Sequence, residues 1–171
     1  MQASNHPKHK SIVFLDKLAD PHKLVDALKK AGMEERLDCK YILSDGTKPI
    51  DPNPWGDKSS EVTCLSTMWG SLADIMNILK HNPNIKWIHS FTAGVDKLIS
   101  PEITNHSCAM TNAKGVFSPS LAEFAIFQML WFEKHGALWQ QQQHDHVWQK
   151  NYVGCLYDKQ VGIIGYGDIG G

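Results

Sequence analysis

The sequence predicts an α/β protein built on a parallel, doubly wound sheet, with a shorter second unit towards its C-terminal end. Short apolar runs alternate with amphipathic segments between residues 11 and 112, which is the pattern of repeated β-α units. A further apolar run over residues 161–164 leads directly into glycines spaced as G-x-G-x-x-G. These two observations fix the expected fold class and divide the chain.

Composition narrows the classes of partner. The chain has 171 residues, of which 42% are hydrophobic, enough for one well-buried core. Its formal net charge is −1, with lysines interleaved among acidic residues, so we expect no nucleic-acid partner. The polar residues 1–10 and the length of the most apolar stretch, residues 121–132, predict neither a secretory signal nor a membrane partner. Four widely spaced cysteines without a zinc-ligand pattern predict free thiols, no bound metal and a cytoplasmic protein.

Five strands and the helices between them are predicted for the first unit. The strands are expected over residues 11–15, 41–43, 62–66, 85–90 and 108–112. Asp20 with Pro21, and Ser71 with Asp74, supply the capping residues of two helices. A short helix is expected over residues 95–99.

These elements predict four parts in the chain. They are a disordered tail over residues 1–10, a flavodoxin-like substrate-side domain over 10–117, a linking helix over 118–150, and an incomplete nucleotide-binding domain over 151–171.

The linking helix is expected to begin with Ser118 as N-cap and Pro119 at the first helical position, and to run towards Trp139 or Trp148. Apolar residues occupy nearly its whole circumference, so we expect it to be buried on more than one side. It would lie between two domains or against a second copy of the chain. We predict a homodimer formed through residues 118–148.

The glycine loop carries a specific chemical expectation. In a dinucleotide-binding fold, Gly165 would make the tight turn, Gly167 would let the backbone approach a pyrophosphate, and Gly170 would let the next helix pack closely. The same spacing also occurs in ordinary glycine-rich turns after a strand. The expected residues for NAD or NADP are Gly165, Tyr166, Gly167, Asp168, Ile169 and Gly170. The acidic residue that would separate NAD from NADP is expected about 20 residues further on, past Gly171.

Three segments in this order resemble the D-isomer-specific 2-hydroxyacid dehydrogenases. Residues 87–96, WIHSFTAGVD, resemble the family's substrate loop. Residues 111–124 resemble its crossover into the coenzyme domain, and residues 161–170 its coenzyme loop. The resemblance covers about residues 60–171 and is strongest to the glyoxylate and hydroxypyruvate reductase branch. It implies that the complete protein reduces a small 2-oxoacid with NADH or NADPH.

The predicted substrate-binding residues are Ala93, Gly94 and Val95. A small residue and a glycine at the carboxyl end of a strand expose backbone N–H groups, which suit the carboxylate of a 2-oxoacid. An ordinary tight turn would have the same composition. Asp96 is expected to cap the short helix that follows rather than to touch substrate.

No residue of this chain is predicted to be catalytic. The arginine, acid and histidine of the family follow the glycine loop, and the single arginine here, Arg36, lies in a charged stretch expected to be a solvated helix end. His144 and His146 lie two residues apart, which on a helix places them on different faces, so we expect surface side chains. For His89 and Trp69 two interpretations stay open: lining the site or packing beside it.

Two other functions stay open from the sequence alone. The 171 residues would suit a catalytically silent fragment or binding module, because the family's catalytic residues follow the glycine loop. A flavin-binding or response-regulator domain of flavodoxin-like fold would carry a phosphate loop or an acidic cluster after its first strand, and residues 16–20 match either poorly.

Overall fold

The computed structural model describes residues 8–16, 20–33, 36–68 and 70–171. It divides into two compact units, Met1–Lys114 and Gly115–Gly171. Trp69 and residues 1–7 of the predicted tail lie outside the described residues. The last residues of that tail differ from expectation, because His9 and Lys10 already belong to the first strand.

The first unit contains a five-stranded, all-parallel sheet with the order β2-β1-β3-β4-β5. Its strands are β1 His9–Asp16, β2 Leu37–Ser44, β3 Val62–Thr67, β4 Trp87–Ser90 and β5 Ala109–Asn112. The helices are α1 Pro21–Lys30, α2 Leu72–His81 and α3 Pro101–Thr104, with a 3-10 helix at Gly56–Glu61. This strand order is that of flavodoxin-like folds, and the predicted fold class is confirmed.

The largest fully buried side chains of the central strands lie on one face of the sheet. Ile12, Leu65 and Ile88 are aligned across β1, β3 and β4 and are fully buried. Ile75 and Ile78 of α2 belong to the same buried cluster as these three strand residues. Two residues further towards the carboxyl ends, the aligned side chains are polar on β3 and β4, where Thr67 lies beside Ser90, while β1 carries Phe14. The apolar centre of the sheet is therefore followed by polar residues at the carboxyl ends of β3 and β4, where the candidate site lies.

The predicted caps of α1 and α2 are confirmed. The carboxylate of Asp20 accepts a hydrogen bond from the N–H of His22 at 3.0 Å, and the hydroxyl of Ser71 accepts one from the N–H of Asp74 at 3.0 Å. The second strand is longer than predicted, because its outer residues alternate between half-buried and exposed positions and so lack a continuous apolar run.

The short helix predicted over residues 95–99 is wrong. The N–H groups of Leu98 and Ile99 both donate to the carbonyl of Val95, which makes a turn that does not continue. Ser100 precedes Pro101, and a residue before proline is driven away from helical angles. Ser100 accordingly has extended backbone and caps α3 instead. Asp96 therefore has no helix to cap.

The second unit contains two helices where one was expected. They are α4 Ser118–Glu133 and α5 Gly136–His144, separated at Lys134 and His135. The N-cap of α4 is Phe117 rather than Ser118, and it makes no side-chain capping bond. No side chain of α4 is buried in the described chain, and its apolar residues include Phe132, which is 75% exposed.

The break between α4 and α5 has identifiable causes. The carbonyl of Glu133 accepts a hydrogen bond from the N–H of Gly154 at 3.2 Å, and the Lys134 ammonium donates to the carbonyl of Gly154. The indole of Trp139 donates to the carbonyl of Lys134, and His135 adopts left-handed angles with φ of 54°. The carbonyl of Glu133, the last residue of α4, thus bonds to a segment further along the chain.

Residues 161–164 form no strand in the part of the chain that the structure describes. A strand needs a neighbour to pair its N–H and C=O groups, and no described segment supplies one here. The side chain of Ile164 is fully exposed. Among all described residues, no helix combines the length and apolarity needed to cross a membrane.

Candidate functional site

A polar rung marks the carboxyl edge of the sheet. Thr67, Ser90 and Asn112 are aligned across β3, β4 and β5, so their side chains lie on one face. Ligands of open α/β sheets bind at this edge. A cavity of about 310 Å³ opens here, and its lining includes Thr67, Ser90, Thr92, Gly94, Asp96 and Lys97.

In the loop after β4, the carbonyl groups of residues 92, 93 and 94 are each held by a donor from within the first unit. The carbonyl of Thr92 accepts from the N–H of Ala113 at 3.2 Å. The carbonyl of Ala93 accepts from the side-chain amide of Asn112 at 2.6 Å, and that of Gly94 accepts from the Thr92 hydroxyl at 2.7 Å.

Three consecutive N–H groups of the same loop are free in the described structure, whereas those of Phe91 and Thr92 are bonded to Thr67 and Ser90. Those of Ala93, Gly94 and Val95 donate to no acceptor among the described residues. Ala93 and Gly94 are exposed, and Gly94 lines the cavity. Free backbone N–H groups are donors that an anion can accept from. Of the three residues predicted for carboxylate binding, Gly94 lines the cavity, and Ala93 and Val95 are its neighbours in the chain.

Gly94 is not required by the fold. Its φ lies outside the left-handed region, and a Cβ placed on it would meet only the Asp96 carboxylate, at 3.6 Å. The missing side chain leaves space in the cavity and serves no packing need. Asp96 and Lys97 also line this space, and neither takes part in the ion pairs of the described residues.

Gly70 and Thr67 are site residues that the sequence analysis missed. A Cβ on Gly70 would overlap the ring of the fully buried Phe14, so glycine is needed there for close packing. Thr67 is 1% exposed, and its hydroxyl has no hydrogen-bond partner in the described structure. For Gly70, the available sequence signal was a glycine directly before the N-cap Ser71. No sequence pattern indicates that the Thr67 hydroxyl is buried without a partner.

His89 does not line the cavity. Neighbouring residues of a strand point to opposite faces, so His89 lies on the face opposite Ser90. Its ring packs between Trp87 and Phe91, with centroid distances of 5.9 and 5.4 Å. Its Nδ1 lies 2.8 Å from the hydroxyl of Thr111. Of the two interpretations left open, packing is the one that the structure supports.

The glycine loop of the second unit is a compact turn. Gly165 has φ of +92°, the conformation expected of the first glycine in a tight turn. A Cβ on Gly170 would come within 2.7 Å of the Gly165 carbonyl oxygen, whereas Gly167 has open space around it. The carboxylate of Asp168 accepts a hydrogen bond from the Ser118 hydroxyl. Tyr166 is 80% and Ile169 48% exposed.

Buried thiols lie apart from the cavity. Cys39 and Cys64 are both aligned with Ser11, on β2 and β3 either side of β1. Burial raises the pKa of each thiol, and a hydrogen bond with Ser11 opposes part of that rise. All four cysteines are free. No group of three or more metal-ligating side chains occurs in the described ranges.

Comparison with known proteins places this fold. No protein-family model matches the sequence, and no curated protein does. Solved structures match closely in shape. A D-isomer specific 2-hydroxyacid dehydrogenase family protein from Klebsiella pneumoniae is 21% identical, with a TM-score of 0.64 over 97% of this chain and 48% of its own. A 2-hydroxyacid dehydrogenase from Ketogulonicigenium vulgare is 14% identical, with a TM-score of 0.67 over 96% of this chain and 49% of its own.

The chain has the fold of a 2-hydroxyacid dehydrogenase. An NADPH-dependent glyoxylate/hydroxypyruvate reductase from Sinorhizobium meliloti, solved with NADP and malonate, matches at 17% identity and a TM-score of 0.63. It is covered over 48% of its length, so the chain spans about half the length of these dehydrogenases. The resemblance predicted from three sequence segments is confirmed at the level of the fold.

Proposed function

We propose that the protein carrying these residues is an NAD(P)H-dependent 2-hydroxyacid dehydrogenase that reduces a small 2-oxoacid such as glyoxylate or hydroxypyruvate. The observation that carries the proposal is the run of three free N–H groups at Ala93, Gly94 and Val95, at the edge of a cavity. Two structural relatives were solved with NADPH or NADP, one of them together with malonate.

The chemistry expected of this chain is binding and orientation. The free N–H groups would hold the substrate carboxylate. The side chains of Asp96 and Lys97 both line the same cavity, so their opposite charges leave binding to the backbone donors. A volume of about 310 Å³ has room for an acid of two to four carbons. Such fixed donors stabilise negative charge without reorganising during the reaction.

The coenzyme would be held by the glycine loop over residues 165–170. Gly167 has no atom within 4 Å of a Cβ position, so the backbone is accessible to a pyrophosphate there. When bound, NADH or NADPH supplies the hydride. The hydroxyl of Ser118 holds the Asp168 carboxylate and so fixes the side chain of the only acidic residue in this loop.

A catalytically silent or weakly binding module is the second candidate for the 171 residues alone. In the described structure the glycine loop ends in a single turn and residues 161–164 form no strand. Pyrophosphate binding depends on helix N–H groups and the helix dipole acting together. We therefore expect calorimetric titration of this chain with NADH and NADPH to show no binding tighter than about millimolar. Micromolar binding of either would contradict this account of the loop.

We further propose that α4 is an assembly element and that the protein is a cytoplasmic homodimer. The helix exposes Phe124 at 58%, Phe127 at 52% and Phe132 at 75% in this chain. Exposed apolar patches on a protein surface are typical of protein–protein contacts. The four free thiols suit a reducing compartment.

The enzymatic proposal is tested by incubating the natural protein with NADH or NADPH and with glyoxylate, hydroxypyruvate or pyruvate. Turnover is measured as the fall in absorbance of the reduced coenzyme. Gly94→Ala and Gly94→Val form a graded series, since the fold tolerates a Cβ there. We expect kcat/KM to fall with side-chain size, by about 10- to 100-fold for valine, if charge-assisted bonds to the carboxylate are lost. A folded protein that turns over no small 2-oxoacid with either coenzyme would refute the proposal.

A further inference from the structure

We propose that Thr92 and Asn112 are positioning residues of the carboxylate site, because their side chains fix the direction of the peptide groups between residues 92 and 95. The inference rests on the proposed function, and it explains why the N–H groups of that loop are free. Neither residue needs to touch the ligand.

Peptide geometry connects the two side chains to the free N–H groups. In a planar trans peptide, the C=O of one residue and the N–H of the next point in opposite directions. The described chain has no cis peptide bond. The carbonyls of residues 92, 93 and 94 are each held by an internal donor. The N–H groups of residues 93, 94 and 95 must therefore point away from those donors.

The direction of the hydroxyl bonds is determined at Thr92. Its single hydroxyl proton is donated to the carbonyl of Gly94. The Ser90 hydroxyl, 2.8 Å from Thr92 Oγ1, must then donate to Thr92. Ser90 in turn accepts from the N–H of Thr92 at 3.2 Å. These two bonds between Ser90 and Thr92 leave the Thr92 hydroxyl proton to be donated to the Gly94 carbonyl.

Asn112 acts from the neighbouring strand. It ends β5, is aligned with Ser90 at the end of β4, and donates its side-chain amide to the carbonyl of Ala93. Without that donor, the peptide group between Ala93 and Gly94 would be free to rotate, and its carbonyl oxygen would be able to turn towards a bound carboxylate. A carbonyl oxygen there would repel a carboxylate, and the N–H of Gly94 would turn away with it.

The loop itself gains little stability from these bonds. Ala93 and Gly94 are exposed and Asn112 is only half-buried, so water can replace the bond that Asn112 makes. Removing the Asn112 side chain should therefore change the direction of the peptide more than the stability of the fold. Removing the Thr92 hydroxyl also leaves the Ser90 hydroxyl, which is buried, without its acceptor.

The experiment uses the isotopically labelled 171-residue chain, titrated with pyruvate and, as the neutral counterpart, methyl pyruvate. Amide resonances of residues 93–95 are followed together with the thermal midpoint. Thr92→Val removes the hydroxyl at constant shape, Thr92→Ser restores it, and Asn112→Ala removes the amide. Thr104→Val is the matched control, because the Thr104 hydroxyl bonds carbonyls of α3 and does not line the cavity.

We expect the unmodified chain to respond at residues 93–95 to pyruvate and not to the ester. Thr92→Val and Asn112→Ala should weaken pyruvate binding by about three- to tenfold, while Thr92→Ser and Thr104→Val bind normally. The thermal midpoint should stay unchanged in Asn112→Ala and fall in Thr92→Val, because the buried Ser90 hydroxyl loses its acceptor there. Equal binding by all variants would overturn the positioning role and leave the carboxylate site intact. No response of residues 93–95 in the unmodified chain would overturn the site itself.

Discussion

Replacing Gly70 by alanine should destabilise the first unit although it adds only one methyl group. The Cβ would overlap the ring of Phe14, which is fully buried and belongs to the main apolar cluster. Either the ring or the backbone after β3 must move. Overpacking of this kind costs about 1–3 kcal/mol, which lowers the melting temperature of a protein of this size by roughly 2–12 °C.

Gly94→Ala provides the matched control. Its Cβ would meet one flexible carboxylate at 3.6 Å, and the backbone needs no left-handed angle. A compatible glycine-to-alanine change stabilises a protein by about 0.4–1 kcal/mol, by restricting the unfolded chain. The two substitutions should therefore shift stability in opposite directions.

Urea or thermal unfolding followed by circular dichroism measures both variants. A Phe14→Leu background should relieve the clash, giving a coupling between positions 14 and 70 of at least about 1 kcal/mol in a double-mutant cycle. Equal stability of Gly70→Ala and the unmodified chain would refute the packing argument, as would strict additivity with Phe14→Leu.

Three further outcomes are expected from the structure. In the natural protein, Phe132→Glu should weaken the homodimer in sedimentation; a monomer at micromolar concentration before substitution would contradict the assembly proposal. Iodoacetamide should label exposed Cys155 well before buried Cys64, whose pKa is raised by burial; equal rates by mass spectrometry would contradict this. A hydrogen bond from Lys10 lowers the pKa of Glu61 below its ordinary value of 4.5. The stability this provides is present above that value and is lost as the pH falls through the lower folded pKa. Glu61→Gln should flatten stability against pH in that acid range, and an unchanged profile would show that the pair contributes nothing.

Local chemistry made most of the fold predictable. Asp20 and Ser71 cap helices because their side chains can accept a bond from the backbone only where a helix begins, and both signals are confirmed. The failed helix over residues 95–99 had a local cause in Ser100 before Pro101, whereas the other failed predictions depended on partners elsewhere in the chain. At the end of α4, Gly154 bonds to Glu133 and Trp139 bonds to Lys134. Residues 161–164 form no strand because no segment of the described chain pairs with their backbone groups.

The residues of the loop at the site were predictable from the sequence, but the contacts that hold this loop in place were not. A small residue and a glycine after a strand pointed to Gly94 as an anion loop, and the structure places it at a cavity. The sequence could not show that Asn112 reaches back 19 residues to hold the loop. It also could not show that Gly70 packs on Phe14. Such contacts arise from strand register, which no local pattern encodes.

A crystal structure of the natural protein with coenzyme and oxamate would test the central claim most directly. The account predicts the oxamate carboxylate about 3 Å from the backbone nitrogens of Ala93, Gly94 and Val95, with the carbonyls of residues 92–94 still held by their internal donors. A carboxylate bound elsewhere, with these three N–H groups hydrated or bonded to protein, would contradict it.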